Sequence, residues 1–217
     1  LQQGENKAIR PNTTSFAHVM SKLSKLDGES TEKMEELLSK MEKMHEVRRA
    51  RSSPGDYKTI AHVTPNVILY NMLLKAYAKR SRYDSKNALN AEKLFNRMNK
   101  LSQTGINTEA TPDRYSYAAV LNAYSQSGLK DVGKKSLQIL RMAFTGGNGG
   151  AGKHNRSNAK PLVDTVVYNA VLSALARSGE RRSAQQADEL LRQMEDDADA
   201  DEEGLDTVPR PDISSYT

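Results

Sequence analysis

The chain has 217 residues, 37% of them hydrophobic and 6% aromatic, with neither tryptophan nor cysteine. Absent cysteine excludes a disulfide framework and a cysteine-based zinc site, and no stretch approaches the roughly 20 apolar residues of a membrane span. Net charge is +5, but residues 195–206 (EDDADADEEGLD) carry eight acidic and no basic side chains, so the remainder carries +13. A block this dense is expected to stay solvated and unstructured, and the basic remainder favours an anionic partner.

Self-similarity organises the rest. Residues 1–12 read as the tail of a preceding repeat, and the start at Leu1 reads as a fragment or a processed form. Four segments then align without gaps: TTSFAHVMSKLSK (13–25), VILYNMLLKAYAK (67–79), RYSYAAVLNAYSQ (114–126) and TVVYNAVLSALAR (165–177). Each has an aromatic at its fourth place (Phe16, Tyr70, Tyr117, Tyr168). Val19, Leu73, Val120 and Val171 follow three residues on, then Met20, Leu74, Leu121 and Leu172, then Leu23, Tyr77, Tyr124 and Leu175. Apolar residues spaced i, i+3, i+4 and i+7 predict one buried helical stripe per segment.

A second helix is expected after each first one. It carries Met34-Leu38-Met41, Ala91-Phe95-Met98, Lys135-Ile139-Met142 and Ala187-Leu191-Met194, and the third copy is weakest because of its lysine. The repeats so defined are 13–66, 67–113, 114–164 and 165–212, with a truncated fifth at 213–217. The third contains a Gly-rich loop at 145–160, and the fourth an acidic loop at 195–207. Asn12, Asn66, Asp113, Asp164 and Asp212 each stand directly before a predicted first helix, as N-caps do. The fold expected is all-α: helix pairs that bury their stripes only by stacking on neighbours.

These residues resemble the pentatricopeptide repeat family. The resemblance lies in Tyr70-Asn71 and Tyr168-Asn169 opening their helices, in Ala91, Phe95 and Met98 of a second helix, and in the closing Pro-Asp or Pro-Asn. It covers roughly residues 11–217, although repeat starts 54, 47 and 51 residues apart exceed the family's length. It implies a right-handed α-solenoid that binds single-stranded RNA in a mitochondrion or plastid, serving RNA processing, stability or translation. It also implies which pairs read bases: Ala17 with Asn66, Asn71 with Asp113, Ala118 with Asp164, and Asn169 with Asp212. The Asn–Asp pairs suit uracil, whereas alanine offers no hydrogen bond and leaves the first and third repeats nearly indifferent. Ile68, Tyr115 and Val166, just ahead of the aromatics, would then flank bases.

The residues themselves support an anionic ligand in part. One and two turns beyond the inner positions stand Ser21 and Lys25, Lys75 and Lys79, Asn122 and Gln126, Ser173 and Arg177. Lys25, Lys75, Lys79 and Arg177 are thus candidate phosphate contacts, a row of cations one repeat apart. Basic helix faces are also commonly just solvated. Other chemistry is not expected: no catalytic residue, metal site, cofactor or small-molecule substrate. Residues 147–153 (GNGGAGK) approach a phosphate-binding loop, but His154 stands where a Ser or Thr hydroxyl belongs. His18, His45, His62 and His154 lack ligand spacing. Other RNA-processing proteins are expected partners beside the RNA, and two alternatives stay open: a protein–protein interaction scaffold of helical repeats, or the repeat arm of a nuclease such as a proteinaceous RNase P.

Overall fold

The computed structural model describes residues 11–26, 30–51, 63–146, 163–200 and 209–216. Among them the chain is all-helical: α1 (Thr13–Leu23), α2 (Ser30–Arg51), α3 (Val67–Arg80), α4 (Lys86–Gln103), α5 (Arg114–Gln126), α6 (Val132–Gly146), α7 (Thr165–Arg177) and α8 (Arg181–Ala200). Short 3-10 turns cover Thr108–Ala110 and Ile213–Ser215. The Gly-rich motif at 147–153, His62 and residues 201–207 of the acidic stretch lie outside the described residues. The helix α8 carries the first part of that stretch as helix through Ala200, against the expectation of an unstructured block.

Starts and stops follow local chemistry. Ser15, Leu69, Ser116 and Val167 donate backbone N–H groups to the side chains of Asn12, Asn66, Asp113 and Asp164 respectively. Each cap thereby satisfies one of the free amides of a first turn. Gly128 and Gly179 follow α5 and α7 with φ of +63° and +69°, a left-handed conformation that ends a helix without a Cβ penalty.

Each first helix packs against the second helix of its own repeat, and the first helices also stack on one another, α3 on α5 and α5 on α7. The predicted stripes are the core. Leu73, Val120 and Val171 are fully buried, and so are Met34, Leu38, Met41 and Ala91. Phe95 and Tyr117 meet edge to face at 4.9 Å across α4 and α5. One stripe member departs: Val19 is 49% exposed, because α1 is the first described helix and no described element covers that side.

The weak third copy has a physical explanation. Lys135 Nζ donates to Glu92 Oε2 and to the Tyr124 hydroxyl, both at 3.0 Å, and lies 5.1 Å from the Tyr124 ring centroid. A cation replaces a small residue there because the preceding repeat supplies its carboxylate. Gly133, at the start of α6, allows a close approach: a Cβ there would fall 2.4 Å from Ser183 Oγ of α8.

Loops stack as well as helices. Buried Asn107 donates Nδ2 to the Pro65 carbonyl at 2.7 Å and accepts from the Glu109 N–H at 3.1 Å. Replacing Asn107 with alanine should cost about 1 to 2 kcal/mol, since the buried carbonyl loses its donor. Urea denaturation reads this as a lowered midpoint at unchanged slope. An unaltered midpoint would mean that the loops do not couple the repeats.

Candidate functional site

Two of the four predicted pairs come together in the same geometry. In the first, Asn71 of α3 donates Nδ2 to Asp113 Oδ1 at 2.9 Å. Ser116 Oγ donates to Asn71 Oδ1 at 2.6 Å and accepts from the Asp113 N–H at 3.2 Å. In the second, Asn169 of α7 donates Nδ2 to Asp212 Oδ1 at 2.9 Å. Ser215 Oγ donates to Asn169 Oδ1 at 2.6 Å and accepts from the Asp212 N–H at 3.0 Å.

The hydrogen-bond bookkeeping fixes each amide. A carboxylate oxygen only accepts, so the asparagine nitrogen faces it and the asparagine oxygen takes the serine hydroxyl. The serine Oγ also lies 3.1 Å from Asp113 Oδ1 and 3.4 Å from Asp212 Oδ1 in the respective clusters. A flipped amide would set its oxygen against the carboxylate, two acceptors facing each other. Each cluster still presents unused capacity to solvent: the second N–H of the amide and, on Asp113, an Oδ2 that no hydrogen bond reaches among the described residues. Asn71 and Asp113 are half-buried and Asp212 is exposed.

Ser116 and Ser215 are the functional candidates that sequence reasoning missed. The signal is present: a serine stands three residues after the cap in both clusters (Asp113-Arg-Tyr-Ser116, Asp212-Ile-Ser-Ser215). Where alanine holds the inner position, the corresponding residue is Leu69 or Val167. Asparagine and serine thus occur together, as the geometry requires.

The two alanine pairs form no such cluster. Asn66 is occupied by the Leu69 N–H at 3.3 Å, and Ala17 lies half-buried with no polar group to offer. Ala118 is buried, and its partner Asp164 is engaged by an arginine instead. Arg114 donates Nη1 to Asp164 Oδ2 at 3.0 Å and Nη2 to the Tyr115 hydroxyl at 3.0 Å, with its guanidinium carbon 4.9 Å from the Tyr115 ring centroid.

The base-flanking candidates line up on the surface. Ile68, Tyr115 and Val166 are 57%, 56% and 53% exposed, unlike the buried residues that follow each of them. An apolar side chain is thus offered to solvent once per stacked first helix.

The cations are exposed, but not all as expected. Lys75 and Lys79 lie on α3, and Arg177 is the last residue of α7. Lys25 is not on a helix face, because α1 stops at Leu23 and Lys25 sits in the turn beyond. The third repeat, which has no cation of its own in the stripe, receives one from its neighbour. Arg82, in the turn after α3, donates Nε to Gln126 Oε1 at 3.2 Å.

A second electrostatic cluster joins the first two repeats. Arg97 of α4 donates Nη2 to Glu35 at 2.7 Å, and its Nε lies 3.3 Å from Glu42, near enough to pair but outside hydrogen-bond alignment. Tyr70 and Tyr77 of α3 donate to Glu42 at 2.6 Å and Glu35 at 3.0 Å. Burial pushes the Glu42 carboxyl up, opposed by the Tyr70 hydroxyl and the Arg97 charge. Burial, together with the adjacent glutamates, also holds both tyrosines well above their ordinary value. Each of the five side chains has a partner within the cluster, although Arg97 Nε is buried without a hydrogen bond among the described residues.

No family model matches the chain, and no curated protein or solved structure does either. Function therefore rests on the residues. Among the described residues no helix is long and apolar enough to cross a membrane, and no three metal-ligating side chains cluster.

Proposed function

We propose that this chain is a single-stranded RNA-binding repeat protein, an α-solenoid of the pentatricopeptide kind, that reads uracil at alternate repeats and acts by occupancy rather than catalysis. The observation that carries this reading is the recurrence of one Asn–Asp–Ser cluster, 98 residues apart from Asn71 to Asn169, on stacked first helices. Capping alone needs the carboxylate, and Asp164 caps α7 without any asparagine. The oriented amide is therefore not needed for the cap.

Its chemistry suits one base. Uracil presents an acceptor oxygen beside the N3–H donor, which match the free amide N–H and the carboxylate. Cytosine has a bare acceptor at N3, which would face the carboxylate and lose a hydrogen bond. The exposed side chains of Ile68, Tyr115 and Val166 offer surfaces between successive bases, and Tyr115 adds a stacking ring. Lys25, Lys75, Lys79, Arg82 and Arg177 offer cations to the phosphates. The family resemblance extends the proposal to RNA processing, stability or translation in a mitochondrion or plastid.

Fluorescence anisotropy with labelled oligo-U, oligo-C, single-stranded DNA and duplex RNA across a salt series tests it. Oligo-U should bind best, with a log–log salt slope of about −3.5 when all five cations neutralise phosphates. The double variant Asn71→Ala plus Asn169→Ala should keep binding and lose the preference for U over C. If folded protein binds no nucleic acid at low salt, the reading fails, and the surface is to be tested for a protein partner.

A further inference from the structure

We propose that Arg114, fixed by Asp164 and braced on Tyr115, is the base-reading group of the third repeat and that it selects guanine. The inference rests on the single-stranded RNA reading above and deepens it: alanine at position 118 implied an indifferent repeat, and the geometry points to a different reader.

The repeats differ in the group that meets the cap carboxylate. At Asp113 and Asp212 the cap carboxylate holds an asparagine amide contributed from the inner position of its own repeat. At Asp164 that position is Ala118, and the carboxylate holds a guanidinium instead, reaching from one turn earlier on the same helix face. The carboxylate is thus filled by a polar group in all three repeats that end in aspartate. The group differs in kind. An amide carries donor and acceptor together, whereas a guanidinium carries donors only.

Two contacts fix its plane. Nη1 is held by Asp164 and Nη2 by the Tyr115 hydroxyl, each at 3.0 Å. These use two of its five N–H groups, and the side chain remains about a third exposed. A fixed fork of donors favours a base edge with two adjacent acceptors. Guanine O6 and N7 form such an edge; adenine replaces O6 by an amino donor, and the pyrimidines lack N7. Asp164 offsets much of the positive charge, so the remaining fork discriminates by geometry more than by attraction to phosphate.

The test is anisotropy with an oligo-U tract carrying one G, A or C, moved one position at a time along the tract. At one position G should bind about tenfold tighter than A. Arg114→Ala should abolish that preference while all-U affinity changes less than about threefold. Arg114→Lys, which keeps the charge but loses the fork, should behave like Arg114→Ala. Circular dichroism checks that both variants fold, as Asp164 still caps α7 through the Val167 N–H.

A uniform loss for every RNA in Arg114→Ala, restored by lysine, would overturn the proposal in favour of a phosphate contact. Wild-type binding with no guanine preference at any position would also overturn it, and would leave the RNA reading standing. Absence of binding to every RNA would remove both.

Discussion

Replacing Phe95 with alanine should destabilise the chain by about 3 to 5 kcal/mol, the range for truncating a buried phenylalanine. Phe95 is fully enclosed and lies on α4, the second helix of repeat 2. Its ring meets Tyr117, on the first helix of repeat 3, edge to face. Truncation therefore removes apolar burial, an aromatic pair and one of the contacts that couple two repeats. In a stacked array stability is a sum of repeat terms and nearest-neighbour interfaces. Loss at this interface should therefore split urea unfolding into two transitions rather than lower a single midpoint evenly. Tyr83→Ala provides the contrast, because Tyr83 is 80% exposed and its loss should stay within about 0.5 kcal/mol. A cost for Phe95→Ala as small as that of Tyr83→Ala would mean that α4 and α5 are not packed together.

Arg97→Met should cost about 2 to 4 kcal/mol at neutral pH, below the full cost of breaking a buried ion pair because the groups are partly exposed. The substitution keeps the aliphatic stem and leaves Glu35 and Glu42 without their shared counter-charge. The loss should depend on pH in a definite direction. Glu42 already titrates above its ordinary value through burial. A carboxyl raised in the native state favours folding when protonated, so its contribution is complete below the ordinary carboxylate range and is lost as pH rises through the native value. Removing Arg97 raises the native value further. The variant should thus be weakest near pH 7 and approach the wild type as the medium is acidified to about pH 4. Chemical denaturation at the two pH values measures it. A penalty independent of pH would show that Arg97 acts through packing of its stem alone.

The partly buried cluster and the first-helix clusters differ in where their charges are matched. Glu35 and Glu42 share Arg97 and each accepts a tyrosine hydroxyl, so both carboxylates are matched inside the cluster. The Asn–Asp–Ser clusters retain donor and acceptor capacity, and Arg114 on Asp164 retains donors. That difference marks the edge of the stacked first helices as the surface on which to test ligands.

The sequence by itself determined the repeat, the helices and their buried faces. A stripe of apolar residues spaced i, i+3, i+4 and i+7 reads directly as a burial face because helical geometry is local. The caps were legible for the same reason: the donors they satisfy lie within three residues. Even the pairing of Asn71 with Asp113 was visible, though only through family resemblance, since 42 residues separate them.

Only the tertiary structure decided which polar groups meet across repeats. Ser116 completes a cluster with Asn71 over 45 residues, and Arg114 reaches Asp164 over 50. Arg82 serves the following repeat, and Lys135 is matched by a carboxylate on the preceding one. Val19 has the apolar character of its stripe yet faces solvent, because burial depends on a neighbour that no local pattern supplies. Hydrophobic periodicity records where a helix turns its face. Which side chain stands opposite that face is set by how the helices stack, and spacing along the chain carries no term for it.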